Sequence, residues 1–548
     1  MASGMDPDKS ISACHVEDTA PAAESTDHRP APGTIKLFED DGDVILIPTP
    51  TTDPRDPLNL PSWRKIVLVV NVSVFAATAT LMASSFGAIL PQVQASYGGD
   101  PRTHDLVTYP ALFIGIGNFI FVPVAHAVGR RPIYLFSLVL LVACCIWCAF
   151  SKSLTSHIAG RNIMSLAAGQ AEALCPIMVQ EVYYLHERGS KIAWFCAAQV
   201  LGTACLTVAS SYLAANLGWR WWYGIFGIIN GLCLVSAAII VPETRFARSK
   251  ASIISPTDGS SKPGENAAEH ATVTASRRPP IDYENYPART FAYDVALFHN
   301  KPRWQDAIDC WKQMIQVILF PNILWLVLCS GAFLGIFVIF GAVFAGVLLQ
   351  PPYEFKAEYL GFVFAGQVVV SMVVVPAQGY LSDYVVKTLS KRNKGVTETD
   401  LGLIMYDIQP EYRLIPLILP FVVGIISTVI FGQACKHPYD WHWSAIVVTF
   451  NSEFFGFVGI VVASFTFAID SYPARSDAIL VVLCFARGVI SFGLSYGSLE
   501  FIERVGYDGA FNICAIILGV LGILGIPVYI FGKKVRQMTQ PWATGKSQ

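Results

Sequence analysis

Twelve stretches of about twenty or more mostly apolar residues recur along this chain, and no other feature limits its fold as strongly. A hydrocarbon core about 30 Å thick is crossed by roughly 20 residues of helix. Within that core a lipid-exposed backbone must satisfy its own N–H and C=O groups, which stretches of this length do as helices. The spans are read at 65–90, 105–127, 132–150, 157–180, 191–216, 221–241, 316–348, 358–382, 413–434, 442–468, 476–501 and 509–532. Soluble domains are about a quarter charged. Here 14% of residues are charged and 53% hydrophobic, with the deficit concentrated in those stretches. The expected fold class is an all-α polytopic membrane protein.

Charge placement orients the spans. Of the 38 Lys and Arg residues, Arg102, Lys152, Arg220, Lys356, Lys436 and Arg504 fall on one side, and Arg161 and Arg487 fall inside spans. The other 30 lie in the termini and the loops of the opposite side. The positive-inside rule then puts both termini in the cytoplasm, in agreement with an even number of spans, which requires the termini to share a side. The first 60 residues are polar and acidic with no apolar h-region, which reads as a disordered tail and not as a cleaved signal peptide. Thirteen cysteines are scattered, mostly in spans, without disulfide or metal-ligand spacing, so no metal and no cofactor are expected. The one Asn-x-Ser/Thr site, at Asn71, falls within the first span, where glycosylation is not expected.

The longest polar insertion, 243–315, divides the spans six and six. The expected units are a tail at 1–64, a six-helix bundle at 65–241, a cytoplasmic linker at 242–315, a second six-helix bundle at 316–532 and a tail at 533–548. Such a division is the signature of a duplicated unit related by an axis along the membrane normal. Arg303 to Gln316 reads as an amphipathic helix lying along the membrane, with Trp304 and Trp311 as interfacial anchors. The loop after the second span carries Gly129-Arg130-Arg131-Pro132. Its repeat-mate after the eighth carries Gly379-Tyr380-Leu381-Ser382-Asp383.

Further short motifs fall between these spans. They are Asp56-Pro57-Leu58-Asn59, His186-Glu187-Arg188-Gly189, Gly218-Trp219-Arg220-Trp221, Pro242-Glu243-Thr244-Arg245, Pro410-Glu411-Tyr412-Arg413-Leu414 and Asp470-Ser471-Tyr472. In this order the chain resembles a fungal member of the major facilitator superfamily, close to the twelve-span drug:proton antiporter type. The resemblance implies two six-helix bundles rocking around one central site. Two positions depart from the pattern. His126 stands where the family's first loop carries Asp, so a group able to titrate near neutral pH replaces a fixed anion. The Gly-Pro motif of the antiporters' fifth span is missing from Gly202-Thr203-Ala204-Cys205-Leu206-Thr207-Val208-Ala209.

Ionisable groups inside spans are costly and usually functional. Arg161 and Glu172 lie eleven residues apart in the fourth span, which puts them on one face of a continuous helix about 16 Å apart along the axis. Glu181 points to the opposite side, toward the cytoplasmic interface. Arg161 occupies the position that the resemblance links to proton coupling. Glu453 lies in the tenth span, the fourth's repeat-mate, so the two glutamates are expected to face each other across the cavity and to take a proton or a cationic group. Structural pairing is the alternative for all three. Arg487 heads a polar stripe in the eleventh span. Gln199 and Asn71 are even candidates for lining the cavity, whereas the serines and threonines read as helix packing. Phe333, Phe337, Phe340 and Phe344 form one aromatic face, which packs against a helix or lipid or lines a pocket for a flat or cationic ligand. His126, Gly129, Arg130, Arg131, Gly379 and Asp383 read as gate or latch residues, with a plain topological role open for the arginines.

No Gly-x-x-x-x-Gly-Lys-Ser/Thr phosphate loop occurs, so an ion gradient, most simply of protons, is the expected energy source. The expected function is secondary transport of a small organic molecule, by proton-coupled efflux of a xenobiotic or secondary metabolite or alternatively by proton-coupled uptake of a small organic solute, cationic ones included. A polytopic membrane enzyme and a transporter-like sensor are the other classes. The histidines are dispersed, which disfavours an enzyme, and the tail after 532 is too short for a folded signalling domain. The expected partners are a small-molecule substrate, a proton gradient and the lipid bilayer, with no nucleic acid. The expected form is a monomer in the plasma membrane, with the vacuolar membrane second.

Overall fold

The computed structural model describes residues 51–246, 281–299, 301–392, 396–398, 404–406, 410–472 and 475–543. Helix α1 (Ser62–Ser84) is followed by short α2 (Leu90–Ser96), then α3 (Asp105–Val128) and α4 (Arg130–Ala149). The fourth crossing is made by α5 (Leu154–Ala168) and α6 (Leu174–Val182), and α7 (Leu185–Leu217) and α8 (Trp219–Ile240) complete the first six. In the linker lie α9 (Phe291–Val295) and α10 (Trp304–Ile318). The second six crossings are α11 (Pro321–Leu349), α12 (Ala365–Arg392), α13 (Ile418–Lys436), α14 (Trp443–Ser471), α15 (Ser476–Ser495) with short α16 (Ser498–Val505), and α17 (Tyr507–Ala543). The loop between α12 and α13 holds a ribbon in which Val396–Glu398 pairs antiparallel with Ile404–Tyr406.

Eleven of these crossings are long and apolar enough to span a membrane as single segments. The fourth is the exception. The continuous helix expected at 157–180 is broken by a 3-10 turn at Gly169–Ala171. Pro176 gives the reason: it has no N–H for the carbonyl of residue 172, and its ring clashes with that carbonyl. The last crossing extends well past the expected end at 532, to Ala543.

Two hydrophobic clusters mark the two bundles. One runs from Leu60 to Val241; the other is built almost wholly from Cys310 to Leu521. Ala88, Val122, Ala173 and Ile177 of the first half join the second cluster, and so mark where the bundles meet. Small residues allow the closest approaches, as is usual where no hydrophobic effect drives helices together. A Cβ on Gly87 would lie 2.6 Å from the Gly341 carbonyl oxygen of α11. Gly361 donates its N–H to Ser211 Oγ of α7 at 2.8 Å. Tyr109 of α3 packs on Phe492 of α15 with ring centroids 5.3 Å apart. The Gly87, Gly361 and Tyr109 contacts lie at the face opposite the linker, here called the far face.

At the linker face α10 is tied to both halves. Arg245 pairs with Asp306 at 2.7 Å, and Trp311 donates its indole N–H to the Phe119 carbonyl of α3 at 3.0 Å. Arg475, just before α15, donates to Gln316 at 2.5 Å. Trp311 is thus a bolt to α3 and not the interfacial anchor expected, whereas Trp304 is exposed.

Candidate functional site

The break at residues 169–171 decides where the charged groups of the fourth crossing point. A 3-10 turn advances about 120° per residue against 100° in an α-helix, so the stripe shared by residues eleven apart is lost. Arg161 consequently turns into the first bundle and is fully buried. Its guanidinium donates to the Leu106 carbonyl at 2.9 Å, to Tyr223 Oη at 3.1 Å and to the Ala83 carbonyl at 3.3 Å, and it lies 3.8 Å from the Phe86 ring centroid. His157 Nε2 meets the same Tyr223 hydroxyl at 2.8 Å. Arg161 thereby ties α1, α3 and α8 together, away from the bundle interface.

Glu172 turns the other way. It forms an ion pair with Arg487 of α15, joining the two bundles at mid-depth. The arginine side chain is 6% exposed and the glutamate 22%. Arg487 lies 5.8 Å from the Phe457 ring centroid. Phe457 stacks on Phe337 at 6.0 Å, and Phe454 lies 5.6 Å from Phe337. These three rings are partly exposed and form an aromatic wall beside the pair. Phe333, Phe340 and Phe344 are fully buried in the second bundle, so only Phe337 of the expected aromatic face reaches this wall. Phe454 and Phe457 were not among the expected residues, although their i, i+3 spacing on α14 was a signal available in the sequence.

Several polar atoms around the break have no partner among the described residues. Gln170 donates to the Gly117 carbonyl at 3.0 Å, but its Oε1 accepts nothing. Asn118, fully buried against Gly169, has neither amide atom engaged. Arg487 Nε and Ser491 Oγ, one turn apart on α15, are likewise unengaged.

The expected opposition of Glu172 and Glu453 does not occur. Glu453 is fully buried inside the second bundle, where α14 packs on α11 and α13. Thr428 Oγ1 sits 3.5 Å from its Oε2, and Oε1 has no partner among the described residues. Asn71 is also internal: it donates to the Cys233 carbonyl at 3.2 Å and accepts from Tyr134 Oη at 2.8 Å. Gln199 is partly exposed and donates to Thr80 Oγ1 at 3.0 Å, between α7 and α1.

The loop after α3 folds around Glu243. Its carboxylate accepts from the backbone N–H of Arg130, Arg131, Thr244 and Arg245 at 2.9, 3.2, 3.0 and 2.9 Å, capping α4 with an anion where the helix dipole favours one. Gly129 has φ +134°, and a Cβ there would run into that carboxylate. Arg130 pairs with Glu181 at 2.9 Å and meets His126 Nδ1 at 3.2 Å. Arg131 donates to the Val241 carbonyl at 2.8 Å, the Ala238 carbonyl at 2.7 Å and the Val295 carbonyl at 2.6 Å. Both arginines are buried, so they bind helix ends and the linker and not lipid headgroups. Gly379 and Asp383 fall within α12, which runs to Arg392, and not in the loop expected after the eighth span; the side chain of Asp383 lies outside the described residues.

A family model described as the Major Facilitator Superfamily matches residues 72–481. Among curated proteins, an uncharacterised MFS-type transporter of Schizosaccharomyces pombe is 24% identical over 93% of each chain. Protein HOL1 of Saccharomyces cerevisiae is 22% identical over 92% of each. Among solved structures, the proton:xylose symporter XylE superposes with a TM-score of 0.54 at 12% identity, covering 87% of this chain and 96% of that one. A POT family transporter in complex with 5-aminolevulinic acid gives 0.55 at 9% identity, covering 88% and 98%.

Proposed function

The chain belongs to the major facilitator superfamily, and from that premise we propose that it is a proton-coupled secondary transporter of a small organic molecule. The rocking units are the bundles at 65–241 and 316–532, and the linker face is cytoplasmic. The single observation that carries this reading is the Glu172–Arg487 pair, the charged contact that joins the bundles at mid-depth. Opening the interface in either direction separates the pair, and a buried ion pair that loses one partner costs about 3–5 kcal/mol. Binding of a proton or substrate offsets that cost, which is how ligand occupancy is tied to rocking. Glu453, whose Oε1 has no partner among the described residues inside the second bundle, is a second proton site.

Efflux of a xenobiotic or secondary metabolite is the direction that the antiporter resemblance carries. A specific observation favours the second direction, uptake by symport: α7 runs unbroken from Leu185 to Leu217, without the Gly-Pro kink of the antiporters. The protein works as a monomer in the plasma membrane.

Metabolites inside cells and in the medium, compared with and without this gene, test the reading. A compound retained in the deletion strain means export, and one left unused in the medium means uptake. No difference in any compound, together with no transport by the overexpressed protein, sinks the proposal.

A further inference from the structure

The charge balance of the interface narrows the substrate class. This step rests on the reading of Glu172–Arg487 as the central site. An arginine in a protein does not give up its proton, whereas a carboxylate readily takes one. The two halves of the pair are therefore not equivalent. When the bundles separate, Glu172 can be neutralised by a proton, but Arg487 can be compensated only by another anion. A cationic ligand on Glu172 leaves Arg487 buried and uncompensated, the costly outcome for a charge in low dielectric.

A second, independent observation points the same way. Arg487 is 5% exposed and its Nε–H has no acceptor among the described residues, although Glu172 is bound to the neighbouring Nη2. Nε and Nη2 form the edge of the guanidinium that binds a carboxylate through two parallel hydrogen bonds. Ser491 Oγ, one turn further along α15, is also unengaged. The Phe457 ring lies 5.8 Å from the Arg487 guanidinium carbon, with Phe337 stacked on it, and the two rings present apolar surface for the body of a ligand.

We infer that the substrate is a small organic carboxylate with an aromatic or apolar body, bound through Arg487, and that its binding is linked to a proton on Glu172. The proton frees Arg487, the ligand carboxylate takes the place of Glu172, and the buried site stays neutral. Proton and substrate then bind together and cross in the same direction, which is symport. Among the described residues, the charged or titratable groups that interact with Glu172 are Arg487 and Cys484, both on α15. The titratable groups of α3 lie toward its two ends, Asp105 and Tyr109 at the far face and His126 at the linker face, and the charges of α1, Arg64 and Lys65, lie at its linker end. A zwitterion offers an ammonium to Glu172 in place of the proton, so it shares the carboxylate and differs in pH dependence.

The test uses four probes of matched body: 3-phenylpropionate, phenethylamine, L-phenylalanine and 3-phenylpropanol. Each is added to the purified full-length protein at pH 5.5 and 7.5, and binding is read from Tm and by titration. Wild type is expected to bind 3-phenylpropionate, with a rise in Tm on the order of 2 °C at saturation. Its affinity is expected to strengthen by up to about tenfold per pH unit as pH falls, because one proton enters with the ligand. Glu172→Gln mimics the protonated acid and should bind 3-phenylpropionate equally well at both pH values. Arg487→Gln should lose it, and Arg487→Lys, which retains the charge if Arg487→Gln fails to fold, should keep a weakened, still pH-dependent affinity.

Preferred binding of phenethylamine overturns the carboxylate class and leaves the transporter reading standing. Equal binding of 3-phenylpropanol overturns the role of Arg487. PH-independent binding of the carboxylate to wild type, or binding of L-phenylalanine alone, overturns the proton linkage. No binding by any of the four overturns the proposal outright. The transporter reading itself fails only in the metabolite comparison, so the two failures are distinguishable.

Discussion

Arg161 engages its whole guanidinium inside the first bundle, with two carbonyls, a tyrosine hydroxyl and the face of Phe86. Its presence within a span is legible in the sequence, because an apolar run makes any charge conspicuous. Its direction is not, because direction depends on helix phase. Glu453 is a similar case: it faces the interior whereas the next residue, Phe454, belongs to the wall. The geometry makes Arg161 a stability residue. Lysine cannot reproduce a planar fork reaching three acceptors on three helices. Arg161→Lys is expected to cost roughly 3 kcal/mol, seen as lower thermal stability in detergent, while surviving protein keeps its pH-dependent transport. Intact stability with lost pH dependence would return Arg161 to the proton path.

At the scale of helices, span positions are legible to within a few residues, since apolar length sets them. The fourth crossing departs because Gly169-Gln170-Ala171 is compatible with a helix and only Pro176 marks the interruption. A proline four residues beyond a carboxylate in a membrane span was the available signal, since it frees the carbonyl of residue 172 and turns the chain there. The break is what carries Glu172 to the bundle interface. Pro176→Ala should therefore let α5 and α6 join into one helix, with stability unchanged or raised by up to ~3 kcal/mol. Proton-coupled transport should fall at least tenfold because Glu172 swings away from Arg487. A variant that transports normally would show that the break is incidental to the pair. The loop around Glu243 is legible in part: the motif residues stand out, but that one carboxylate gathers four backbone donors is a tertiary fact.

For the whole molecule, the separation into two cores and the tight far face describe a protein closed at one end. The closure includes backbone close to backbone, at Gly87 against the Gly341 carbonyl and Gly361 against the Val208 carbonyl, and such contacts do not yield as side-chain tips do. A Cβ on Gly361 would run into Ser211 Oγ and the Val208 carbonyl of α7. Gly346, on the far-face half of α11, has nothing within 4 Å of its would-be Cβ. Gly361→Val and Gly346→Val thus add the same volume near the same face, one at the bundle contact and one in open space. Neither substitution disturbs the core of a single bundle, so both variants should fold. Gly361→Val is expected to hold the far face apart, with faster amide exchange over 357–364 and transport reduced at least tenfold, and Gly346→Val to behave as wild type. If transport by Gly361→Val matched that of Gly346→Val, closure at the far face would not be a step of the cycle, and the rocking motion would have to be sought around the α10 bolts at the linker face.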